Sequence, residues 1–168
     1  MVTLKRVRRS DAPPLGKVSA VPLQLSNPVL YFRKTADQTV TNSTTLVNDA
    51  RFELPVGARQ TWTLEFRLLF SSSAVANIKW QITIPALATG RLRFAGVGAN
   101  GLNGESEVAA SSVQGASGTG ANKLVVFHAH VVMGTTAGDI ILQWAQNTAE
   151  ASNTIVRQDS LLIATRIV

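Results

Sequence analysis

Few residues in this 168-residue chain could do chemistry. His128 and His130 are its only imidazoles. They stand two apart inside an alternating apolar run, so a strand would point both rings to one face, the local geometry of a two-His metal site. The residues that follow, Val131, Val132, Met133 and Gly134, offer no third ligand, and Asp139 is the acid nearest in sequence. The chain has no Cys, so a thiolate zinc site and a disulfide framework are both impossible. The pair therefore predicts two His in a sheet face or subunit interface, hydrogen-bonded to neighbours. No metal and no cofactor are expected.

Other candidate constellations fail for want of a partner. Gly96-Val97-Gly98-Ala99-Asn100-Gly101 matches GxGxxG. A dinucleotide site needs a helix opening directly after those glycines, inside a βαβ unit. Leu102-Asn103-Gly104 is a poor helix start, and no βαβ pattern surrounds it. Serine is plentiful, but none lies in GxSxG, and both possible His bases sit on one strand. Glu105 and Glu107 are close in sequence but fall in a Gly-rich stretch. Glycosidase chemistry needs two carboxylates held at a fixed separation. The residues predict no enzyme.

The charges are unevenly placed. The formal net charge is +6. Lys5, Arg6, Arg8, Arg9 and Lys17 against Asp11 put +4 of it in the first 17 residues. The rest of the chain is nearly neutral, without the clustered cations of a polyanion-binding face. Five cations are thin for packaging a genome, which argues against nucleic acid. Pro13, Pro14, Pro22 and Pro28 restrict φ and remove donors, so residues 1–28 read as an extended basic, proline-rich arm. No apolar h-region follows the basic start. No apolar run approaches the roughly 18–20 residues that span a membrane. There is no lipidation signal.

Those residues must be positioned by strands. Trp62, Leu64, Phe66, Leu68 and Phe70 alternate with Thr61, Thr63, Glu65, Arg67 and Leu69, which predicts a long strand with one buried face. Ile78, Trp80, Ile82 and Ile84 predict a second, ended by Pro85. Leu92 and Phe94, between Arg91 and Arg93, suggest a short third. Val125, Phe127, Ala129, Val131 and Met133 mark a fourth. Gly134-Thr135-Thr136-Ala137-Gly138 reads as a hairpin-like loop, with Ile140, Leu142 and Trp144 facing inward on the return strand. Leu161, Ile163 and Ile167 mark the last strand, and weaker ones are expected at residues 29–34, 44–47, 51–54 and 154–157. Leu69, Leu124, Val126 and Leu162 fall on second faces. No helical period is sustained. Residues 29–168 are therefore expected to form an all-β sandwich of about eight to ten strands. Residues 95–122 hold seven of the 12 glycines and read as a surface insertion, longer than ordinary loops.

Composition points to assembly. Charged residues make up 15% and hydrophobic ones 45%, against about 25% charged in an average domain. A chain this rich in apolar residues folds, and so few charges suit a surface covered by its own copies or a partner, so a homo-oligomer is expected.

The stretch from Tyr31-Phe32-Arg33-Lys34 through Thr44-Thr45-Leu46-Val47-Asn48-Asp49 runs into Phe52-Glu53-Leu54-Pro55-Val56, followed by the aromatic-rich strand at 62–70. With Leu142-Gln143-Trp144-Ala145-Gln146-Asn147-Thr148 and Ser160-Leu161-Leu162 near the end, it resembles small jelly-roll-like β-sandwich domains in virion proteins of tailed bacteriophages. The resemblance covers residues 29–168 apart from the Gly-rich insertion. It implies a structural protein of the particle, commonly a trimer, of capsid decoration, head-fibre or tail-tip type, made in the host cytoplasm. It carries over no functional residues, since the matching positions are turn and core positions. A short chain starting at Met1, without a heptad or collagen-like stalk, is expected to be a decoration protein bound to the major capsid protein or other virion proteins. A tail or receptor-binding tail-tip protein is the alternative. The expected attachment residues lie in the arm: the cations Lys5, Arg6, Arg8 and Arg9, and the apolar Val18, Val21, Leu23 and Leu25.

Overall fold

The computed structural model describes residues 27–95, 105–107 and 113–167. These form twelve strands: β1 (Val29–Arg33), β2 (Gln38–Thr41), β3 (Val47–Val56), β4 (Thr61–Ser71), β5 (Ile78–Thr83), β6 (Thr89–Ala95), β7 (Glu105–Glu107), β8 (Gln114–Ala116), β9 (Asn122–Val132), β10 (Gly138–Gln146), β11 (Asn153–Val156) and β12 (Leu161–Arg166). One sheet runs β1-β12-β4-β9-β6-β7, with β11 joining β2 to β4, and the other runs β3-β10-β5-β8. Each sheet interleaves strands from the start and end of the chain, the jelly-roll order. The fold is an all-β, jelly-roll-like antiparallel sandwich.

The core forms where the alternating patterns of the two sheets meet. Trp62, Leu64, Phe66, Leu68 and Phe70 are all buried, as are Ile78, Trp80 and Ile82 opposite them. Phe127 stacks on Phe66 at 4.8 Å and on Trp80 at 5.4 Å, while Phe52 meets Phe66 edge-on at 6.0 Å. This aromatic column ties Phe66 and Phe127 of the large sheet to Trp80 and Phe52 of the small one. Pairs of this geometry add about 0.5–1.5 kcal/mol each beyond the area they bury.

Four expectations are corrected. In β12 the buried residues are Leu162 and Ala164, and Ile167 is 40% exposed. The register places Leu162 opposite Phe66 and Ala164 opposite Leu64, and opposite residues share a face. Leu161 and Ile163 therefore lie on the outer face, and Leu162 does not. Residues 134–138 do not close a hairpin, because β9 and β10 belong to different sheets. The segment crosses between layers, and Gly134 is needed there: a Cβ would sit 2.4 Å from Leu87 O. The segments 44–47 and 51–54 are replaced by one strand, β3, with a register shift at Leu142 of β10. Finally, the described part of 95–122 is not simply an insertion. β7 pairs with β6, and β8 pairs with β5. Gly118 lies so close to Ser72 and Ser73 that a Cβ would come within 2.2 Å of both carbonyl oxygens. The GxGxxG stretch lies outside the described residues.

The register shift in β3 holds a buried ion pair. Lys34 follows β1 directly, and its Nζ donates to Asp49 Oδ1 and Oδ2 at 3.0 and 2.9 Å and to Gln38 Oε1 at 3.3 Å. Asp49 Oδ1 also accepts the backbone N–H groups of Arg51 and Phe52. The two side chains are 2% and 0% exposed. All three ammonium donors are used, which offsets the cost of desolvating the pair. Removing one partner should strand the other charge. Lys34→Met is expected to destabilise the fold by about 3–5 kcal/mol. Lys34→Met combined with Asp49→Asn should be more stable than Lys34→Met alone, since no lone charge remains and the amide oxygen can still accept both N–H groups. Urea midpoints of the three proteins check this order.

Candidate functional site

Period-two geometry gathers the polar side chains of four strands on the outer face of the large sheet. Two cross-strand rows stand out. In one, Ile163, Glu65, His128 and Arg93 are successive register partners across β12, β4, β9 and β6. In the other, Thr165, Thr63, His130 and Arg91 are aligned in the same way. The backbone positions of Glu105 and Glu107 on β7 continue the rows beyond Arg93 and Arg91. These rows line a shallow depression of about 330 Å³.

Glu65 organises its electrostatics. Its Oε1 accepts Arg67 Nε at 2.5 Å, and its Oε2 lies 3.5 Å from His128 Nε2. The Arg67 hydrogen bond holds the Glu65 carboxyl below its ordinary 4.5, against the opposing effect of burial and with help from His128. Arg91 and Arg93 are engaged as well. Apolar residues flank the rows: Leu69, Val126, Leu161 and Ile163 are half-buried, and Leu124 is 58% exposed. Leu69, Leu124 and Val126 thus occupy the second face as the sequence suggests.

His128 and His130 share a face as the HxH spacing requires, and both are exposed. The acid beside His128 is Glu65 on the adjacent strand β4, and not Asp139, which β10 carries to the other sheet. Among the described residues no three His, Cys, Asp or Glu side chains cluster to hold a metal. What the arrangement offers chemically is a set of charges and hydroxyls flanked by apolar residues. Thr63, Glu65, Arg91 and Arg93 were visible in sequence as the polar half of alternating strands. Their convergence on the two His needed the strand order.

The arm residues Lys5, Arg6, Arg8, Arg9, Val18, Val21, Leu23 and Leu25 lie outside the described residues. The described chain begins at Asn27 and enters β1 through Pro28. β1 is the edge of the large sheet, and Val29, Leu30 and Tyr31 on it are 45%, 37% and 67% exposed. No helix among the described residues is long and apolar enough to cross a membrane.

No protein-family model matches the sequence, and no curated protein matches it. Among solved structures, the chain is similar to one of the infectious bursal disease virus Gt strain, at 13% identity and a TM-score of 0.28. It is also similar to the VP2 subviral particle of infectious bursal disease virus, at 9% identity and a TM-score of 0.23. The matches cover 83% of this chain in both cases, but only 40% and 39% of the viral chains. The chain thus spans well under half the length of either.

The lowered Glu65 carboxyl sets a pH dependence. A carboxyl with a depressed folded pKa stabilises fully above its unfolded value, here 4.5, and loses that contribution as pH falls through the folded value. Asp37 and Glu150 are lowered too, Asp37 first by the Gln158 N–H and Glu150 first by the Ser152 hydroxyl. Acid should therefore weaken the fold below about pH 4.5. Glu65→Gln should be less stable than wild type near neutrality, and the gap should close on acidification. Urea midpoints measured across that range test it.

Proposed function

We propose that this chain is a structural, non-catalytic component of a virus particle, and that it is a capsid decoration protein of a tailed bacteriophage. The sandwich body lies on the outside of the shell and stabilises it, and the arm attaches it to the major capsid protein or another virion protein. The observation that carries this reading is the junction at Pro28. There a jelly-roll body of nearly neutral charge joins, at an open sheet edge, an arm holding +4 of the +6 net charge. The sequence resemblance to small phage virion domains supports it. So does the outer sheet face, whose apolar residues suit contact between protein surfaces. The same face and the low charged fraction support a homo-oligomer, and the resemblance supports three copies.

An arm already restricted by four prolines loses less entropy on docking than a flexible one. Its cations would meet shell carboxylates, each exposed pair contributing only about 0–1 kcal/mol, so apolar arm residues must contribute as well.

Purified protein mixed with shells that lack it should co-sediment with them. Deleting residues 1–26 should leave the sandwich folded, because both sheets and the Phe52–Phe66–Phe127–Trp80 column lie within residues 27–167, and should abolish co-sedimentation. Arg6→Gln, Arg8→Gln and Arg9→Gln together should weaken it less. The difference from wild type should narrow as salt rises, because screening removes the same pairs. Full occupancy by the truncated protein would move the anchor to the body, and binding to purified tails in place of shells would overturn the decoration reading.

A further inference from the structure

We infer that residues 21–25 of one copy add as a strand to the open edge of β1 in a second copy. The inference does not rest on the shell-binding reading. It reassigns Val21, Leu23 and Leu25 from the shell to a neighbouring copy of this chain.

The first observation is the edge itself. A sheet edge presents unpaired N–H and C=O groups, and proteins usually blunt it by shortness, charge, proline or a bulge. The other edges here are blunted in those ways. β2 has four residues, and β7 and β8 have three each. β3 carries Arg51, Glu53 and Pro55 and the register shift beside Asp49. β1 differs. It pairs with β12 on one side, and among the described residues no strand pairs with the other. Its residues 29–32 are Val, Leu, Tyr and Phe in an unbroken row, with no charge until Arg33. Val29 and Tyr31 line up with Thr165 and Ile163 on the outer face, and Leu30 and Phe32 with Ala164 and Leu162 on the inner one. Arg51 of β3 reaches this edge at its far end, over the Phe32 ring and onto the Arg33 carbonyl, while Val29, Leu30 and Tyr31 stay exposed.

The second observation is the sequence that feeds this edge. Val21, Leu23 and Leu25 alternate with Pro22 and Gln24, the period of a strand with one apolar face. Pro22 has no N–H, which a central strand could not tolerate but an added edge strand can. Main-chain bonding along an exposed edge, with alternate side chains giving specificity, is the general mode of β-strand addition.

The third observation decides between the chain's own edge and another copy's. Folding back in cis would need a tight hairpin through Ser26, Asn27 and Pro28. Two-residue primed turns, and the last position of a three-residue hairpin loop, need φ > 0, which proline cannot adopt. Asn27, preceding a proline, is pushed out of the α region toward extended backbone. The chain therefore leaves β1 extended, and the nearest edge it can satisfy belongs to a neighbour. Each copy gives one strand and takes one, so a closed ring leaves no β1 edge open. Residues 5–20 still reach some 50 Å beyond the added strand if extended, enough for the cations to meet a shell.

The chain has no Cys, so introduced thiols report only on each other. Full-length Leu23→Cys protein is mixed with full-length Tyr31→Cys protein, without shells, under mild oxidation. The mixed disulfide is quantified against that formed with Val75→Cys, whose site is exposed but outside β1. An edge-seated arm holds its thiol at roughly millimolar effective concentration, so linkage to Tyr31→Cys should exceed the control by about tenfold or more. Full-length Leu23→Asp/Leu25→Asp protein should sediment as a smaller species with an unchanged β-sheet circular dichroism spectrum. Linkage no greater than the Val75→Cys control would overturn the inference. So would a chain carrying both Leu23→Cys and Tyr31→Cys that closes only on itself. Because no shell is present, these results are independent of whether the protein binds one.

Discussion

The buried Lys34–Asp49 pair is the constraint on which the open side of the sandwich depends. Lys34 continues β1, and Asp49 sits in β3, so the pair joins the edge strands of the two sheets. Neither charge could be buried alone. Together they fix where each edge lies, because the ammonium is satisfied only if Asp49 and Gln38 converge on it. The same carboxylate accepts the N–H groups freed where β3 shifts register against β10. The extra residues there would otherwise leave donors unpaired beside a core aromatic, Phe52. The backbone of Lys34 is bound as well, giving its N–H to Ser160 and accepting from Asp159. One ion pair thus couples β1, β3 and the turn into β12. β1 can then stand as an exposed strand without peeling away.

The strands most legible in the sequence were those with one wet face. In β4 and β5 every second residue is apolar and, Leu69 apart, the residues between are polar, so period alone identifies the buried side. β12 defeated that reasoning because Leu161-Leu162-Ile163-Ala164 is apolar at both parities. There the burial is decided by pairing with β4, information that lies about a hundred residues away in the chain. β2, β7 and β8 are too short to show a period, and their existence depends on neighbouring strands offering an edge. The supposed hairpin at 134–138 shows a related limit. Turn chemistry marks where a chain bends but not whether it returns to the same sheet.

The candidate site was legible in pieces. HxH spacing put both imidazoles on one face, and alternation put Thr63, Glu65, Arg91 and Arg93 on polar faces. Only the order β12-β4-β9-β6 makes those faces one surface and brings Glu65 to His128. Asp139 looked like the near acid because sequence distance was the only measure at hand. The expected arm rests on the prolines and charges of residues 1–28 alone, and what it would touch depends on surfaces beyond its own sequence.

The placement of charge separates two kinds of partner. A nucleic-acid surface needs cations in excess along one face. The outer face of the large sheet carries both signs in alternation: Arg67 bound to Glu65, Glu65 beside His128, and Arg91 and Arg93 engaged. Charges satisfied within one surface cost less to desolvate against a second than unpaired ones, because each brings its counter-charge along. The flanking Leu69, Leu124, Val126, Leu161 and Ile163 then supply the apolar area that contact between proteins requires. A cation held within the face, as Arg67 is by Glu65, attracts a polyanion less than a free one. The sequence places +4 of the +6 net charge in residues 1–17, apart from this face.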